Sequence, residues 1–583
     1  MEKTFSGSPV GNEASSAALA KAGVWQRDWF WISLLWLFKL GVDVIFWKNQ
    51  AAEYVLDNID YLDYAKQYFY AKDAATFYGI FLSSFGRIRS PFQSWLIFIG
   101  KRTFRHVSFE AIAYLIQAAC LLFLTVAALQ ISKRIVELWG RQWSFPCTLA
   151  LSAGIIFAPL AVGLSRGTLV ELMLAATIVG TSWLCFKISR NGNANQVCAL
   201  NLLVAAGALT KFSYPLYVFI PLGAILVYAV LRRKYSVIFL SFLFQLLVQV
   251  GFCYNIVNFK PTLATAKSVM RSWQVHYPLS MFHEIAISGF GVPFLGFVAF
   301  LGVVAVQKGF ADRLTESFPA RWHEFLLSCR QQHPTFEVVV MLLAAANFIL
   351  MLAVHLRATQ QMLRYYLFFV AAGVVLSVAV FAAMDLRLRT KGIVAGIFAA
   401  ANLAVCALFS VPTTATSCSH PLLAAVFNID CQRAEPVDGT LVAPRSANYH
   451  VDEIVRLLSG RIAPGSKVVL VNPNEYFNHQ NVYYRLRDAA AREGFYFNIT
   501  DIGRGELQNQ DLWRDVRAAI VKDFTGFRYE VFVEDSPGPE FYAPSKLAEL
   551  NTIVGSKLAQ LEAREIYRNT NGDGTVSVYL IGK

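Results

Sequence analysis

Just past the first long apolar run, three aspartates stand at a spacing that permits chemistry. The segment reads Leu56-Asp57-Asn58-Ile59-Asp60-Tyr61-Leu62-Asp63-Tyr64-Ala65. In helical form the acids fall at i, i+3 and i+6, so Asp60 and Asp63 share one face. A carboxylate held at a lipid surface can take the proton of a hydroxyl as that oxygen attacks an electrophile. The alternative is a set of charges on a solvated loop.

Three further segments carry charges in unusual places. Ser165-Arg166-Gly167-Thr168-Leu169-Val170-Glu171 sets an arginine and a carboxylate between two apolar runs. Glu171 lies inside one of these runs, where an ionised side chain is costly and needs a partner. Arg166 is the nearest candidate, either within a site or as a purely structural ion pair. Leu209-Thr210-Lys211 places a cation at the outer end of a span, against the charge bias, where it suits a lipid-linked phosphate. In Gln361-Met362-Leu363-Arg364-Tyr365-Tyr366, Arg364 can fork onto a phosphate and the tyrosines can anchor at the interface. The stretch 258–283 adds Lys260, Lys267, Arg271 and His276 among alternating apolar positions. That pattern fits an amphipathic lid with either a catalytic or a lipid-surface role.

The elements that position these residues are membrane spans. Of 583 residues, 56% are hydrophobic and 16% charged, too little polar surface for a soluble protein. Runs long enough to span, about eleven in all, fall near 29–47, 109–131, 144–163, 168–188, 197–210, 213–231, 236–257, 284–306, 336–355, 362–384 and 392–411. Residues 1–24 are polar or small, with no cleavage site after the first run, and read as a disordered cytoplasmic tail. With that end inside, every second loop is basic. These loops hold Lys133, Arg134 and Arg141; Lys187 and Arg190; Arg232, Arg233 and Lys234; Lys308, Arg313, Arg321 and Arg330; and Arg387, Arg389 and Lys391. The long first loop, 48–108, then lies outside together with the candidate residues. The net charge of +13 belongs to the membrane part, because residues 420–583 carry 18 basic and 21 acidic side chains. Lipid phosphates and topology explain that excess better than nucleic acid, for which no soluble basic face interleaved with aromatics is present.

Residues 412–445 form a linker, and from about 446 to 583 the pattern becomes that of a soluble α/β domain. Strands are expected at 467–472, 495–500, 529–533 and 575–580, and helices at 475–492, 512–522 and 544–562. Asn571-Gly572-Asp573-Gly574 reads as a hairpin turn, since the rest of a calcium loop is missing. No glycine-rich phosphate loop, His-Glu-x-x-His or Cys-x-x-Cys pattern, or Gly-x-Ser-x-Gly elbow occurs, so no nucleotide, cofactor or metal site is assigned. Cys418 and Cys431 both follow the last span on the outside. They are expected to form a disulfide in an oxidising compartment, the alternative being two unpaired thiols.

Taken in order, these motifs resemble the GT-C superfamily of integral-membrane glycosyltransferases, in the branch of protein O-mannosyltransferases and aminoarabinose transferases. Asp60-Tyr61-Leu62-Asp63-Tyr64-Ala65 is similar to the family's Asp-Glu-x-x-Tyr motif in the first outside loop, with Tyr61 where the Glu would stand and Asp63 as a substitute for it. Ser165, Arg166 and Glu171 match a Ser-Arg-then-acid spacing, and Leu-Thr-Lys and Arg-Tyr-Tyr recur in such families. The resemblance covers residues 25–411. It implies an all-α polytopic bundle of the GT-C fold on which the C-terminal α/β domain is mounted. The implied donor is a polyprenyl-phosphate sugar, used without a metal. Inversion would occur in one displacement, with Asp60 as base and Lys211, Arg364, Arg271 and His276 on the donor phosphate. Arg166, Glu171 and Tyr365 would support them. The acceptor would be a glycan, lipid or protein hydroxyl, and the setting the periplasmic face of a bacterial inner membrane. The competing readings are a lipid-linked sugar flippase or transporter, and an O-antigen polymerase or ligase. A transporter would place polar groups at mid-bilayer on paired repeats; here the unusual charges gather at one face, with Asp43, late in the first span, as the exception.

Overall fold

The computed structural model describes residues 11–50, 56–85, 91–211, 213–231, 285–307, 336–357, 363–410, 448–461, 467–471, 479–502, 529–534, 544–571 and 574–580, together with positions 282 and 464. The chain opens with α1 (Gly11–Asn49), α2 (Leu56–Phe69), α3 (Ala74–Phe85), α4 (Phe92–Thr103) and α5 (Phe109–Leu138). Next come α6 (Phe145–Ile156), α7 (Pro159–Arg166), α8 (Glu171–Asn191), α9 (Ala194–Thr210) and α10 (Tyr214–Leu231). Apolar helices at Val292–Gln307, Phe336–Arg357, Leu367–Ala383 and Leu388–Leu408 complete the bundle. The first helix begins at Gly11, inside the segment expected to be a disordered tail. The run Ala14-Ser-Ser-Ala-Ala-Leu-Ala-Lys is rich in the best helix former, which favours this extension.

The expectation of eleven spans is corrected. Among the described residues six helices are long and apolar enough to cross a membrane: Asp28–Asn49, Phe109–Leu138, Glu171–Arg190, Glu337–His355, Leu363–Ala383 and Leu388–Leu408. The pair α6 and α7, bent by 52°, makes a seventh if counted as one span. Proline is the cause of that bend: Pro159 lacks an N–H and its ring clashes with the carbonyl one turn back, while suiting the first turn of a new helix. The runs expected at 197–210, 213–231 and 284–306 form apolar helices of 16 to 18 residues. At about 1.5 Å per residue these cover about 25 Å, shorter than the six long helices. The run 236–257 lies outside the described residues.

The bundle core packs α5, α6 and α8 against the Leu367–Ala383 helix, with Leu121, Leu124, Leu151, Leu172, Val370, Val374 and Phe381 all buried. Outward faces stay apolar too: Phe219, Val306, Ile349 and Ile397 are each more than 60% exposed. A surface of that kind meets lipid rather than water, and the chain is a multi-pass membrane protein.

Alternating helix directions sort the polar groups to two ends. At one end Asp28 pairs with Lys133 and accepts from Thr148 Oγ1 at 2.5 Å, while Arg134 forks onto Glu337 at 2.6 and 2.7 Å. Arg387, Arg389 and Lys391, at the start of the Leu388–Leu408 helix, belong to this same end. The first-loop helices α2–α4 and every described candidate residue lie at the other end.

Close packing at Gly207 ties three helices together. A Cβ there would fall within the ring of Tyr214. Tyr214 is 1% exposed and its hydroxyl is held 2.6 Å from Thr181 Oγ1, so the ring cannot retreat. Gly207→Ala is therefore expected to destabilise the detergent-solubilised protein by about 1–3 kcal/mol through overpacking. Gly223→Ala, also mid-helix but with nothing near its added Cβ, is expected to stabilise by about 0.5–1 kcal/mol. Unfolding of both variants in parallel checks the contrast, and equal effects would refute it.

The C-terminal domain is a five-stranded sheet in the order β2-β1-β3-β5-β4, formed by β1 (Lys467–Val471), β2 (Asn498–Ile502), β3 (Tyr529–Glu534), β4 (Arg564–Asn571) and β5 (Gly574–Leu580). β1 pairs in parallel with β2 and β3, and the His479–Glu493 helix makes the crossover from β1 to β2. β5 is antiparallel to both β3 and β4. The turn at 571–574 does close a hairpin, with Asn571 opposite Gly574. Its first strand, β4, was not expected from the sequence, because an edge strand such as Arg-Glu-Ile-Tyr-Arg-Asn-Thr-Asn has little of the apolar alternation of a buried one.

Candidate functional site

Helix α2 is anchored by the side opposite its acids. Ile59, Leu62 and Ala65 are fully buried in a cluster with Ile97 of α4 and Phe109, Ile112 and Ala113 of α5. That i, i+3, i+6 stripe fixes the roll of the helix and leaves Asp60 and Asp63 half-buried on other faces. Two consecutive side chains of α4 then join α2 to the bundle. Ser94 Oγ donates to the Tyr61 carbonyl at 2.9 Å, and Gln93 Nε2 donates to the Thr168 carbonyl at 2.6 Å. Gln117 of α5 donates to the neighbouring Leu169 carbonyl at 2.8 Å. The turn between α7 and α8 thus has its exposed carbonyls satisfied by two buried carboxamides, and the backbone beside Asp60 is linked through one helix to the backbone three residues before Glu171.

Glu171 is the first residue of α8 and only 5% exposed. Lys211, which caps the end of α9, donates to its Oε1 at 3.0 Å, and Arg364 Nε lies 3.6 Å from the same oxygen. Arg364 sits in a tight turn, Leu363–Tyr366, that opens the next helix, and is itself buried. The Lys211 ammonium also lies 4.1 Å from the centre of the Tyr365 ring. Two cations thus face one carboxylate, and Glu171 Oε2 accepts no hydrogen bond among the described residues. Beside it, Tyr217 Oη and His355 Nε2 are 2.5 Å apart, and the His355 ring lies 5.7 Å from Tyr366 and 6.3 Å from Tyr365. Sequence reasoning missed Tyr217 and His355; a histidine near the end of an apolar span is itself a signal.

The expected pairing of Glu171 with Arg166 is corrected. Arg166 ends α7 and turns the other way, donating to Asp43 Oδ1 at 2.9 Å, Ser410 Oγ at 2.5 Å and the Phe409 carbonyl at 3.2 Å. Asp43 also pairs with Lys39 one turn earlier and accepts from Tyr114 Oη at 2.7 Å. Lys39 reaches Ser165 Oγ at 2.5 Å. Lys39 and Asp43 are 0% exposed. Every charge here is enclosed and bonded, so the network ties α1, α5, α7 and the Leu388–Leu408 helix together rather than facing a ligand. The turn at 167–170 separates Arg166 from Glu171, which their nearness in sequence concealed.

Asp63 is gripped from outside the bundle. Arg487 of the C-terminal domain forks onto it at 2.5 and 3.1 Å, and Gln67 adds a bond at 2.7 Å. Arg271, His276, Cys418 and Cys431 lie outside the described residues. Among the described residues no group of three or more His, Cys, Asp or Glu gathers as metal ligands would.

No protein-family model matches the chain, and no curated protein matches it. Solved structures do. ArnT from Cupriavidus metallidurans in the apo state is similar at 13% identity and a TM-score of 0.50, over 94% of this chain and 97% of that one. ArnT bound to undecaprenyl phosphate gives 13% identity and a TM-score of 0.44, over 94% and 98%. The Archaeoglobus fulgidus oligosaccharyltransferase gives 12% identity and a TM-score of 0.47, over 94% and 73%. The match to apo ArnT extends along nearly all of both chains, bundle and C-terminal domain alike, and on it this chain has the GT-C membrane fold.

Proposed function

We propose that this chain is an inverting glycosyltransferase that moves a sugar from a polyprenyl-phosphate carrier to an acceptor hydroxyl at the first-loop face of the membrane. The observation that carries the reading is the gathering of Lys211 and Arg364 about the buried Glu171 carboxylate, at the same end of the bundle as the Asp60 segment. ArnT, whose fold this chain shares, has been solved bound to undecaprenyl phosphate, which supports a lipid-linked phosphate as the donor group.

In this reading the Asp60 carboxylate takes the acceptor hydroxyl's proton as that oxygen attacks the anomeric carbon from the side opposite the phosphate. The bond from the anomeric carbon to the phosphate oxygen breaks, and the leaving phosphate carries its charge to Lys211 and Arg364, joined by Arg271 and His276. One carboxylate suffices, because no glycosyl-enzyme forms. Asp63 holds the helix bearing Asp60, Glu171 spaces the two cations, and Tyr365 supports Lys211. The face concerned is periplasmic, in a bacterial inner membrane with the N-terminus cytoplasmic.

The test is transfer by purified protein in vesicles from a synthetic polyprenyl-phosphate sugar, with a nucleotide sugar as the comparison donor. Only the lipid donor is expected to react. Lys211→Met and Arg364→Gln are each expected to lower kcat/KM for it by about 10²-fold, the effect of removing one group that stabilises developing charge. Equal use of the nucleotide sugar, or unchanged rates in both variants, would overturn the donor assignment.

A further inference from the structure

The C-terminal domain is built into the first-loop helix. Tyr484, on the His479–Glu493 helix, is 1% exposed and belongs to the apolar cluster formed by α2, α4 and α5. Its hydroxyl donates to Glu110 Oε1 at 2.5 Å. Burial beside that carboxylate pushes the phenol well above its usual range, so it remains a donor. Lys66 of α2 is 2% exposed, lies 3.4 Å from the centre of the Tyr484 ring, and donates to the Tyr484 carbonyl at 3.0 Å and to Asp488 at 2.6 Å. Tyr70 Oη reaches the other Asp488 oxygen at 2.9 Å, and Arg487 forks onto Asp63. Asp63, Lys66 and Tyr70 are spaced three and four apart, so one helix of the domain holds α2 at two points one turn apart and again just past its end. The charges alternate between partners: α2 gives an acid then a base, and the domain answers with a base then an acid. A register slip of one turn would set like charges together and strand a buried ammonium. Asp60 is one turn beyond the last of these contacts.

Resting on the glycosyl-transfer reading, we propose that Tyr484, Arg487 and Asp488 are positioning residues for the reaction: the domain sets the axial position and roll of α2, and through them the place of the Asp60 carboxylate. The donor cations Lys211 and Arg364 come from other elements, so loss of the joint acts on the chemical step and spares donor binding.

The test uses the full chain in micelles, comparing wild type with Arg487→Ala/Asp488→Ala and with the conservative Arg487→Lys/Asp488→Glu. Hydrogen exchange of residues 56–69 and steady-state transfer are read together. In the alanine variant, exchange across 56–69 is expected to quicken while the spans stay protected. Its kcat is expected to fall about 10- to 100-fold, the cost of an ångström-scale misplacement, with donor KM within about threefold of wild type. The conservative pair, which keeps both charges on the domain's helix, is expected to keep most of kcat. Faster exchange with wild-type kcat, unchanged exchange, or a rise in donor KM matching the loss would each overturn the positioning role. Absence of transfer by wild-type protein would instead overturn the transferase reading, and the positioning role with it.

Discussion

Asp43→Asn is expected to destabilise the protein by about 3–5 kcal/mol, the effect of breaking a fully buried ion pair. Asn is nearly the same size and keeps a carbonyl for one hydrogen bond, so no cavity opens. What changes is charge. Asp43 faces Lys39 and Arg166 at once, all three buried, and Tyr114 donates to it as well. Without the carboxylate, two cations stand in a low-dielectric site with no acid between them. Adding Lys39→Met to Asp43→Asn removes one of them, and is expected to recover part of the loss; the shortfall from additivity measures the coupling. Denaturant unfolding in micelles across this cycle checks the prediction. A change below about 0.5 kcal/mol for Asp43→Asn, the range of ordinary surface substitutions, would show that the network does not hold α1 to the bundle.

The sequence made some of this legible for local physical reasons. Glu171 stood out because an ionisable group inside an apolar run must be partnered, Lys211 because a cation at that end of a span opposes the charge bias, and Arg364 because its guanidinium can fork onto a phosphate; the structure brings those three together. The sequence told which face Asp60 and Asp63 would share if the segment were helical; the structure shows that helix, and the burial of Ile59, Leu62 and Ala65 shows which way it faces. Long-range partners were hidden. Arg166 was the nearest cation to Glu171 along the chain, yet its partner Asp43 lies 123 residues away. Asp63 and Arg487 are separated by 424 residues, and nothing local in either segment announces the other. The seeming continuity of 144–163 masked the break at Pro159, although that proline was the visible sign of it. The helices at 194–210, 214–230 and 292–307 are as apolar as the six long ones but shorter, so a hydropathy count runs ahead of the number of long spans.

On the proposed reading Asp60 is the base of a transfer from lipid-linked sugar. Its most direct test is the kcat of Asp60→Asn in purified, vesicle-reconstituted full chain, with thermal unfolding and donor KM measured on the same preparation. Asn retains size and polarity but cannot accept the acceptor's proton. A fall in kcat of about 10²- to 10⁴-fold, the usual contribution of a positioned general base, is expected with unfolding and donor KM unchanged. Transfer at the wild-type rate by the folded Asp60→Asn protein would contradict the account.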